Sequence, residues 1–193
     1  MDKQRMVVAS GNANKIREFS QLFTDYEVVS QKAMGFDEEV EETGATFLEN
    51  ALIKARAASK ALGVPALADD SGLCVVALGG APGVYSARYS GNHDDAGNRA
   101  KLLRELEGVS DRRAYFQSAI ALVYPNGEEI TAEGQTFGKI LLKERGTGGF
   151  GYDCLFESED LGKSFGEATA EEKNGVSHRS RALKALWEKM ENR

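Results

Sequence analysis

Cysteine, histidine and proline are scarce in this chain of 193 residues, which contains 2 cysteines, 2 histidines and 3 prolines. Cys74 and Cys154 lie far apart and form no CxxC pair, which excludes a disulfide framework and a zinc site of the usual cysteine spacing. The sequence also lacks the long apolar run of a membrane-spanning helix and a recognisable signal peptide. We therefore expect a cytoplasmic protein with no membrane partner.

Positive charge is also in short supply, because 24 lysines and arginines are set against 30 aspartates and glutamates, a formal net charge of -6. A protein that coats a polyanion is normally basic, so a nucleic-acid partner is not expected. A small anionic ligand is still compatible with this charge, since a local basic pocket can form inside an acidic protein. The hydrophobic (41%) and charged (28%) fractions are those of a globular protein. The length suits a single domain over residues 1–193 with its own core.

Hydrophobic periodicity predicts alternating strands and helices, followed by a hairpin and a final helix. Thr46 and Glu49 form a capping-box pattern before one helix, and the turn signal of the hairpin is Asn126-Gly127. The predicted strands cover residues 6–9, 28–29, 66–68, 73–78, 114–124 and 128–135, and the predicted helices cover residues 15–23, 46–62, 96–106 and 177–190. This order indicates an α/β fold with a mixed sheet.

The loop from Ser10 to Lys15 joins the first predicted strand to the first predicted helix. Its glycine and asparagines leave backbone N–H groups at the positive end of the helix, and Lys15 adds a cation, a combination that suits a phosphate. The loop matches neither the Walker A pattern nor GxGxxG. On these residues alone, an ordinary turn between a strand and a helix is the alternative.

Carboxylates are concentrated in two places, the acidic run of residues 37–42 and the pair Asp69 and Asp70. Mg²⁺ prefers oxygen ligands and usually binds one or two carboxylates together with phosphates and water. The acidic run by itself is typical of a solvated surface. We interpret the aspartate pair as the end of a strand, whose adjacent side chains point to opposite faces. One aspartate could then serve a functional site while the other fixes the turn.

Residues 146–153 form a glycine-rich segment with two aromatic side chains, Phe150 and Tyr152. Glycine allows a backbone to approach a ligand closely, and an aromatic face can stack on a nucleobase. The alternative is a flexible loop whose aromatic side chains fill the core.

The last candidate combines Lys173 with the segment Ser177, His178 and Arg179. Ser177 suits the N-cap position of the final helix, which places His178 and Arg179 in its first turn, where anions and carbonyl oxygens are favoured. The alternative is a capping serine followed by polar surface residues. No GxSxG motif supports a serine hydrolase.

Six blocks of the sequence, taken together and in this order, resemble the inosine triphosphate pyrophosphatase family. The blocks are SGNANK, EETGATFLENALIKA, ADDSGL, LGGAPGVYSARYSG, GTGGFGYD and EEKNGVSHRSRAL. The resemblance covers residues 6–187 and implies a two-lobed α/β fold. In that fold a long, twisted mixed sheet is flanked by helices and the active-site cleft lies between the lobes. It also implies a homodimer.

The resemblance implies a role for each candidate residue. Glu41 and Asp70 would bind Mg²⁺, and Asp70 would also accept the proton of the attacking water. The phosphates would be held by Ser10, Gly11, Asn12, Ala13, Asn14, Lys15 and Lys54. Ser71 would contact the substrate, and the base would be framed by Phe150, Gly151, Tyr152 and Asp153. The nucleotide pocket would be completed by Lys173, His178 and Arg179. Cys154 stands where the family usually has proline.

The activity implied by the resemblance is hydrolysis of noncanonical purine nucleotides (ITP, dITP and XTP) to the monophosphate and pyrophosphate, which removes them from the nucleotide pool. Donors from His178, Arg179 and the backbone near Phe150 would read the carbonyl at position 6 of the base and reject the adenine amine. Two alternatives stay open: a nucleotide-binding protein without turnover, and a pyrophosphatase for modified pyrimidine triphosphates. Asp69 is either a second metal ligand or a residue that fixes the turn.

Overall fold

The computed structural model describes residues 3–193, apart from the side chain of Asn14. The strands are β1 (Gln4–Val8), β2 (Tyr26–Ser30), β3 (Ala66–Val75), β4 (Arg113–Val123), β5 (Glu129–Ile140) and β6 (Phe156–Ser158), and the helices are α1 (Ala13–Leu22), α2 (Phe47–Leu62), α3 (Asp95–Glu105), α4 (Ala170–Val176) and α5 (His178–Glu191). The six strands form one sheet in the order β2-β1-β3-β4-β5-β6. β1 pairs in parallel with β2 and β3, whereas β5 and β6 are antiparallel. The predicted α/β fold with a mixed sheet is therefore confirmed.

The strand β3 corrects the sequence interpretation of residues 66–78. Two short strands separated by a turn at Asp69 and Asp70 were expected, but one strand of 10 residues runs through both aspartates. The expected turn occurs later, at residues 76–78, and ends at Gly79 with φ 64. β3 lies between β1 and β4 in the sheet, and its residues Ala66 and Leu67 pair with β1, so its course is set by pairing with other strands and not by the turn tendency of the aspartates. The aspartates therefore lie in the middle of a strand rather than at its end.

The sequence pattern did not predict α4 and β6, because both elements are short. α4 has 7 residues and no buried side chain, although Thr169 and Glu172 form a complete capping box at its start. β6 has 3 residues. The predicted hairpin is confirmed, with Gly127 N–H donating to the Tyr124 carbonyl (2.9 Å) in its loop. Among residues 3–193, the structure contains no helix long and apolar enough to cross a membrane.

Helix α2 begins and ends where its sequence predicts. The Thr46 hydroxyl accepts a hydrogen bond from the Glu49 N–H (3.1 Å), and Gly63 ends the helix in the left-handed conformation, with φ 66. The apolar face of α2 buries three alanines, Ala51, Ala55 and Ala58. Small side chains on this face let α2 approach the sheet closely, and they hold Lys54 beside β3.

Replacing Thr46 with alanine should lower the free energy of unfolding by about 1 kcal/mol, because the Glu49 N–H loses its acceptor. Thr46→Ser keeps the acceptor and serves as the matched control. Urea denaturation of both variants measures the difference. Equal stability of the alanine and serine variants would contradict the capping role.

The chain divides into two compact units. Unit 1 comprises the residues up to Asp70 with 119–132 and 186–193, and unit 2 comprises 71–118 and 133–185. One core cluster of unit 1 is built largely of small side chains, including Val7, Ala55 and Ala68. The core of unit 2 combines aliphatic with aromatic side chains, and the Phe116 ring centroid lies 4.7 Å from that of Phe156. Each unit carries one group of the predicted functional residues.

Candidate functional site

The functional residues of unit 1 meet around the two aspartates of β3. The Asp69 side chain is 1% exposed, and its Oδ1 lies 2.8 Å from Lys15 Nζ at the start of α1. Helix α2 supplies a second lysine, Lys54. Its Nζ donates to the Asp69 carbonyl at 2.8 Å and lies 3.8 Å from Asp70 Oδ1. Two lysines predicted to bind phosphate therefore lie beside the carboxylates in the fold.

A third carboxylate in this cluster is Glu42, which belongs to the acidic run of residues 37–42 and had no predicted role of its own. Its Oε1 lies 3.2 Å from Lys54 Nζ, and its charge acts on Asp70. The predicted metal ligand Glu41 is exposed and makes no hydrogen bond or ion pair in the part of the chain that the structure describes. Its metal-binding role stays a prediction.

Asp70 is the electrostatically unusual member of this cluster. Burial raises the pKa of its carboxyl from 3.8 to about 6, the nearby charge of Lys54 opposes that rise, and Glu42 adds to it. One carboxylate oxygen, Oδ2, is buried and has no hydrogen-bond partner among the described residues. A buried acceptor without a donor is costly, and it is the kind of oxygen that a hard cation binds. Asp70 therefore fits a Mg²⁺ ligand.

No group of three or more histidine, cysteine, aspartate or glutamate side chains is already arranged around a metal position in the described residues. This is compatible with Mg²⁺, which commonly binds through one or two carboxylates and completes its shell with phosphates and water. The residues present therefore fit an ion that is held jointly by the protein and a phosphorylated ligand.

The predicted phosphate loop lies at the start of α1. The Ser10 hydroxyl accepts a hydrogen bond from the Asn12 N–H (3.1 Å) and so fixes the turn into the helix. Gly11, Asn12 and Ala13 are exposed, and the first turn of α1 contains no acidic residue. The positive end of the helix is therefore not neutralised by its own sequence. The side chain of Asn14 lies outside the described residues.

Asn50 is a further residue of this region that sequence reasoning missed. It is 1% exposed, its Oδ1 accepts from the Gly44 N–H (2.7 Å), and its side chain acts to lower the pKa of Asp70. The signal that could have found it is a polar residue on the otherwise apolar face of α2, since a buried amide needs specific partners. Asn50 therefore holds the EETG segment at its Gly44 N–H and also influences the carboxyl of Asp70.

In unit 2, Asp153 organises the glycine-rich segment. Its buried carboxylate accepts from the Phe150 N–H (3.0 Å) and from Lys173 Nζ (2.6 Å), which α4 supplies. Gly149 has φ +68, and a Cβ there would lie 2.1 Å from Asp153 Oδ2, so only glycine fits. Asp153 and Lys173, predicted from distant parts of the sequence, are brought into direct contact.

The two aromatic residues of the segment differ in what they do. Phe150 is 65% exposed, and Lys173 Nζ lies 4.6 Å from its ring centroid. Tyr152 is buried, its hydroxyl donates to the Ser86 carbonyl (2.7 Å), and burial raises its pKa. The view that these aromatics fill the core thus holds for Tyr152, whereas Phe150 presents a face to solvent on which a base could stack.

We expect Tyr152→Phe to lower the free energy of unfolding by about 1 kcal/mol, since the buried Ser86 carbonyl loses a hydroxyl donor. The ring itself is retained, so the core should remain filled. Thermal unfolding compared with Tyr85→Phe, which alters an exposed tyrosine, measures the effect. A Tyr152→Phe protein as stable as the wild type would contradict this assignment.

The remaining predicted residues of unit 2 lie on α5 and β3. The Ser177 hydroxyl accepts from the Ser180 N–H (3.2 Å), which confirms that it caps α5. His178, in the first turn, stacks on Phe116 with a centroid distance of 5.0 Å. Arg179 and Ser71 are half-buried. The substrate contacts assigned to His178, Arg179 and Ser71 stay predictions.

The sequence and the fold match a known family. The model of the Ham1 family aligns with residues 6–189, nearly the whole chain. The chain belongs to the Ham1 family. The resemblance drawn from the six sequence blocks is thereby confirmed, and its specificity came from their joint order rather than from any single block.

Relatives in the Ham1 family agree with the chain over its full length. A dITP/XTP pyrophosphatase of Haemophilus influenzae is 49% identical over 195 residues, covering 97% of this chain and 100% of the relative. A dITP/XTP pyrophosphatase of Lactiplantibacillus plantarum is 46% identical over 192 residues, covering 97% and 95%. The solved structure of the Staphylococcus aureus Ham1 protein superposes with a TM-score of 0.94 at 42% identity, covering 98% of this chain and 99% of that one. The Ham1 fold is therefore shared throughout.

Proposed function

We propose that this protein hydrolyses noncanonical purine nucleoside triphosphates, namely ITP, dITP and XTP, to the monophosphate and pyrophosphate. The observation that carries the proposal is Asp70, a buried carboxylate with one unpartnered oxygen and a pKa raised to about 6, lying near two lysines. The chain is also 46% and 49% identical in sequence to two proteins named dITP/XTP pyrophosphatase. A carboxylate whose pKa is close to neutral is suited to accept a proton from water.

Charge supports a requirement for a divalent cation. Glu42, Asp69 and Asp70 together outweigh Lys15 and Lys54 by one negative charge, so the cluster alone would repel a triphosphate. Mg²⁺ would supply charge neutralisation on the phosphates and a lowered pKa for a bound water. Asp70, together with Glu41 as the resemblance implies, would hold it. We propose Mg²⁺ as the cofactor on these grounds.

The lysines and the loop before α1 would hold the phosphate chain. Lys15 and Lys54 are each bound by carboxylates, which fixes their ammonium groups before substrate arrives. The N–H groups at the start of α1 add donors directed at an anion. Fixed donors lose little freedom when substrate binds, and they stabilise negative charge that develops on the α-phosphoryl group.

The base would be received by the residues around Phe150. Its exposed ring offers a stacking face, and the charge of Lys173 favours an electron-rich base edge. The N–H groups of Phe150 and Gly151 already donate to Asp153 and to Asp95. We therefore assign the reading of the carbonyl at position 6 to His178 and Arg179 rather than to these backbone donors.

Arg179→Ala should reduce the preference for ITP over ATP about tenfold, because a donor aimed at the base carbonyl is lost. The ratio of kcat/KM values for the two nucleotides measures this preference. Lys184→Ala, an exposed position later on α5, is the matched control. An unchanged ratio in Arg179→Ala would remove Arg179 from base recognition.

Incubation of the purified protein and Mg²⁺ with ITP, XTP, dITP, ATP and GTP tests the proposal. Monophosphate and pyrophosphate from the first three, with little turnover of ATP or GTP, are expected. Diphosphate and orthophosphate would place the attack at the γ-phosphorus. Tight ITP binding without turnover would favour a nucleotide-binding protein instead.

A homodimer and a cytoplasmic location also remain predictions. Size-exclusion chromatography with light scattering tests the oligomeric state.

A further inference from the structure

The helix α3 reaches across unit 2 to the glycine-rich segment through two side chains one turn apart. Asp95 Oδ2 accepts a hydrogen bond from the Gly151 N–H (3.1 Å), and Arg99 Nη1 donates to the Gly151 carbonyl (3.0 Å). Both hydrogen-bonding groups of a single glycine are thus held by α3. Neither side chain belongs to the residues discussed so far as contacts of the nucleotide.

Arg99 also ties the two ends of the segment together. Its Nε donates to the Glu144 carboxylate, which precedes the glycines, while its Nη1 holds Gly151 near their end. The Arg99 side chain is 19% exposed, so this guanidinium is largely withdrawn from water. Charge-assisted hydrogen bonds in such surroundings are stronger than neutral ones at the surface. The Arg99 contacts are therefore suited to fix the conformation of the glycine-rich segment.

Gly151 is a position that needs such restraint. Its φ of +60 is accessible to glycine, and a Cβ built on it would meet no atom within 4 Å. Packing therefore does little to fix this residue, and glycine has the largest backbone freedom of any residue. Gly151 directly follows Phe150, so restraint of its backbone N–H and carbonyl also restrains the backbone from which the exposed ring projects.

We propose that Asp95 and Arg99 are positioning residues that fix the Gly151 peptide, and with it the Phe150 face, for the purine base. This inference rests on the proposed function, because it concerns how the nucleotide's base is received. By holding the segment in one conformation before substrate arrives, α3 lowers the ordering cost of base binding. By occupying the Gly151 N–H, Asp95 also removes a backbone donor from the base, so recognition depends on side chains.

The test compares Arg99→Met and Asp95→Ala with Arg104→Met, an exposed arginine in the last turn of the same helix. Amide hydrogen exchange of residues 149–152 should accelerate in the first two variants and remain unchanged in the third. The KM for ITP should rise about tenfold in both, with kcat changed less than about threefold, since the contact involves the residues proposed to receive the base and not those proposed to hold the phosphates.

Two further readouts separate positioning from general damage. Ribose 5-triphosphate, which has no base, should be hydrolysed by the variants as it is by the wild type. Asp95→Asn and Arg99→Lys, which keep an acceptor and a donor, should recover most of the ITP affinity. An unchanged KM for ITP, or an equal rise in KM for the base-free substrate, would overturn the proposal.

The proposed function can fail separately. A wild type that releases no pyrophosphate from ITP would refute the proposed hydrolase activity. The inference on Asp95 and Arg99 could still be tested, by measuring the dissociation constants of the same variants for ITP and ATP. Weaker ITP binding by Arg99→Met and Asp95→Ala, but not by Arg104→Met, would support positioning of the base. Equal constants in all proteins would refute it.

Discussion

Asp70→Asn should abolish pyrophosphate release from ITP and, in the same protein, raise stability at neutral pH. The amide cannot accept the proton of the attacking water, and it binds a divalent cation less well than a carboxylate does. The amide also removes a charge that burial disfavours in the folded state. Activity loss with a stability gain is the signature of a residue kept for function rather than for folding.

The pH dependence of this gain follows from the raised pKa. The folded-state pKa of Asp70 is about 6, above its ordinary 3.8, so the folded protein binds the proton more tightly than the unfolded chain does. The stability contributed by protonated Asp70 is fully present below about pH 4 and is lost as the pH rises through about 6. Wild type and Asp70→Asn should therefore have equal stability in acid and differ by about 2–3 kcal/mol at neutral pH.

Asp69→Asn is the matched control, because the same substitution one residue earlier should act in the opposite direction. Asp69 is buried against Lys15 at 2.8 Å, and removing one member of a buried ion pair leaves the other charge uncompensated. Urea denaturation of both variants without metal, across the pH range, measures the effects. A stability gain in Asp69→Asn, or a difference for Asp70→Asn that does not vary with pH, would contradict the electrostatic assignment.

Lys173→Met should destabilise unit 2 and impair recognition of the base. The substitution keeps an unbranched side chain but leaves the buried Asp153 carboxylate without its ammonium partner, which lies at 2.6 Å in the wild type. Breaking a buried pair from one side costs about 3–5 kcal/mol. The Phe150 ring loses the same cation, so the KM for ITP should rise more than tenfold, by about 1.4 kcal/mol of binding free energy or more.

A double-variant cycle separates the two effects of Lys173. Adding Asp153→Asn to Lys173→Met removes the uncompensated charge, so the double variant should recover much of the lost stability. Base recognition should not recover, since the cation over Phe150 is still absent. Additive destabilisation in the double variant would show that the pair is not coupled. Recovery of a wild-type KM for ITP would remove Lys173 from the nucleotide site.

Local signals were sufficient for the elements whose ends are set by their own residues. Thr46 and Gly63 delimit α2 through a side-chain cap and a left-handed residue, both of which depend only on near neighbours. The interpretation of residues 66–78 was wrong because the continuity of β3 depends on β1 and β4, which pair with it from distant parts of the chain. The tendency of Asp69 and Asp70 to form a turn was therefore outweighed by the pairing of β3 with other strands.

The candidate site could be predicted as residue types but not as contacts. The motifs indicated Lys15, Lys54 and Asp70, yet the ion pair of Lys15 with Asp69 requires the packing of α1 on the sheet. Likewise, Asp153 and Lys173 are separated by β6 and the start of α4, and their contact could not be read from spacing. Asn50 and Arg99 were missed because a buried amide and a helical arginine have the same local pattern as structural residues.

Hydrolysis of ITP in water labelled with oxygen-18 tests the central claim most directly. If water activated by Asp70 attacks the α-phosphorus, the label must appear in inosine monophosphate and not in pyrophosphate. The wild type should give labelled monophosphate with Mg²⁺ present, and Asp70→Asn should give no product. Label in the pyrophosphate or orthophosphate, or labelled monophosphate from Asp70→Asn at the wild-type rate, would contradict the account.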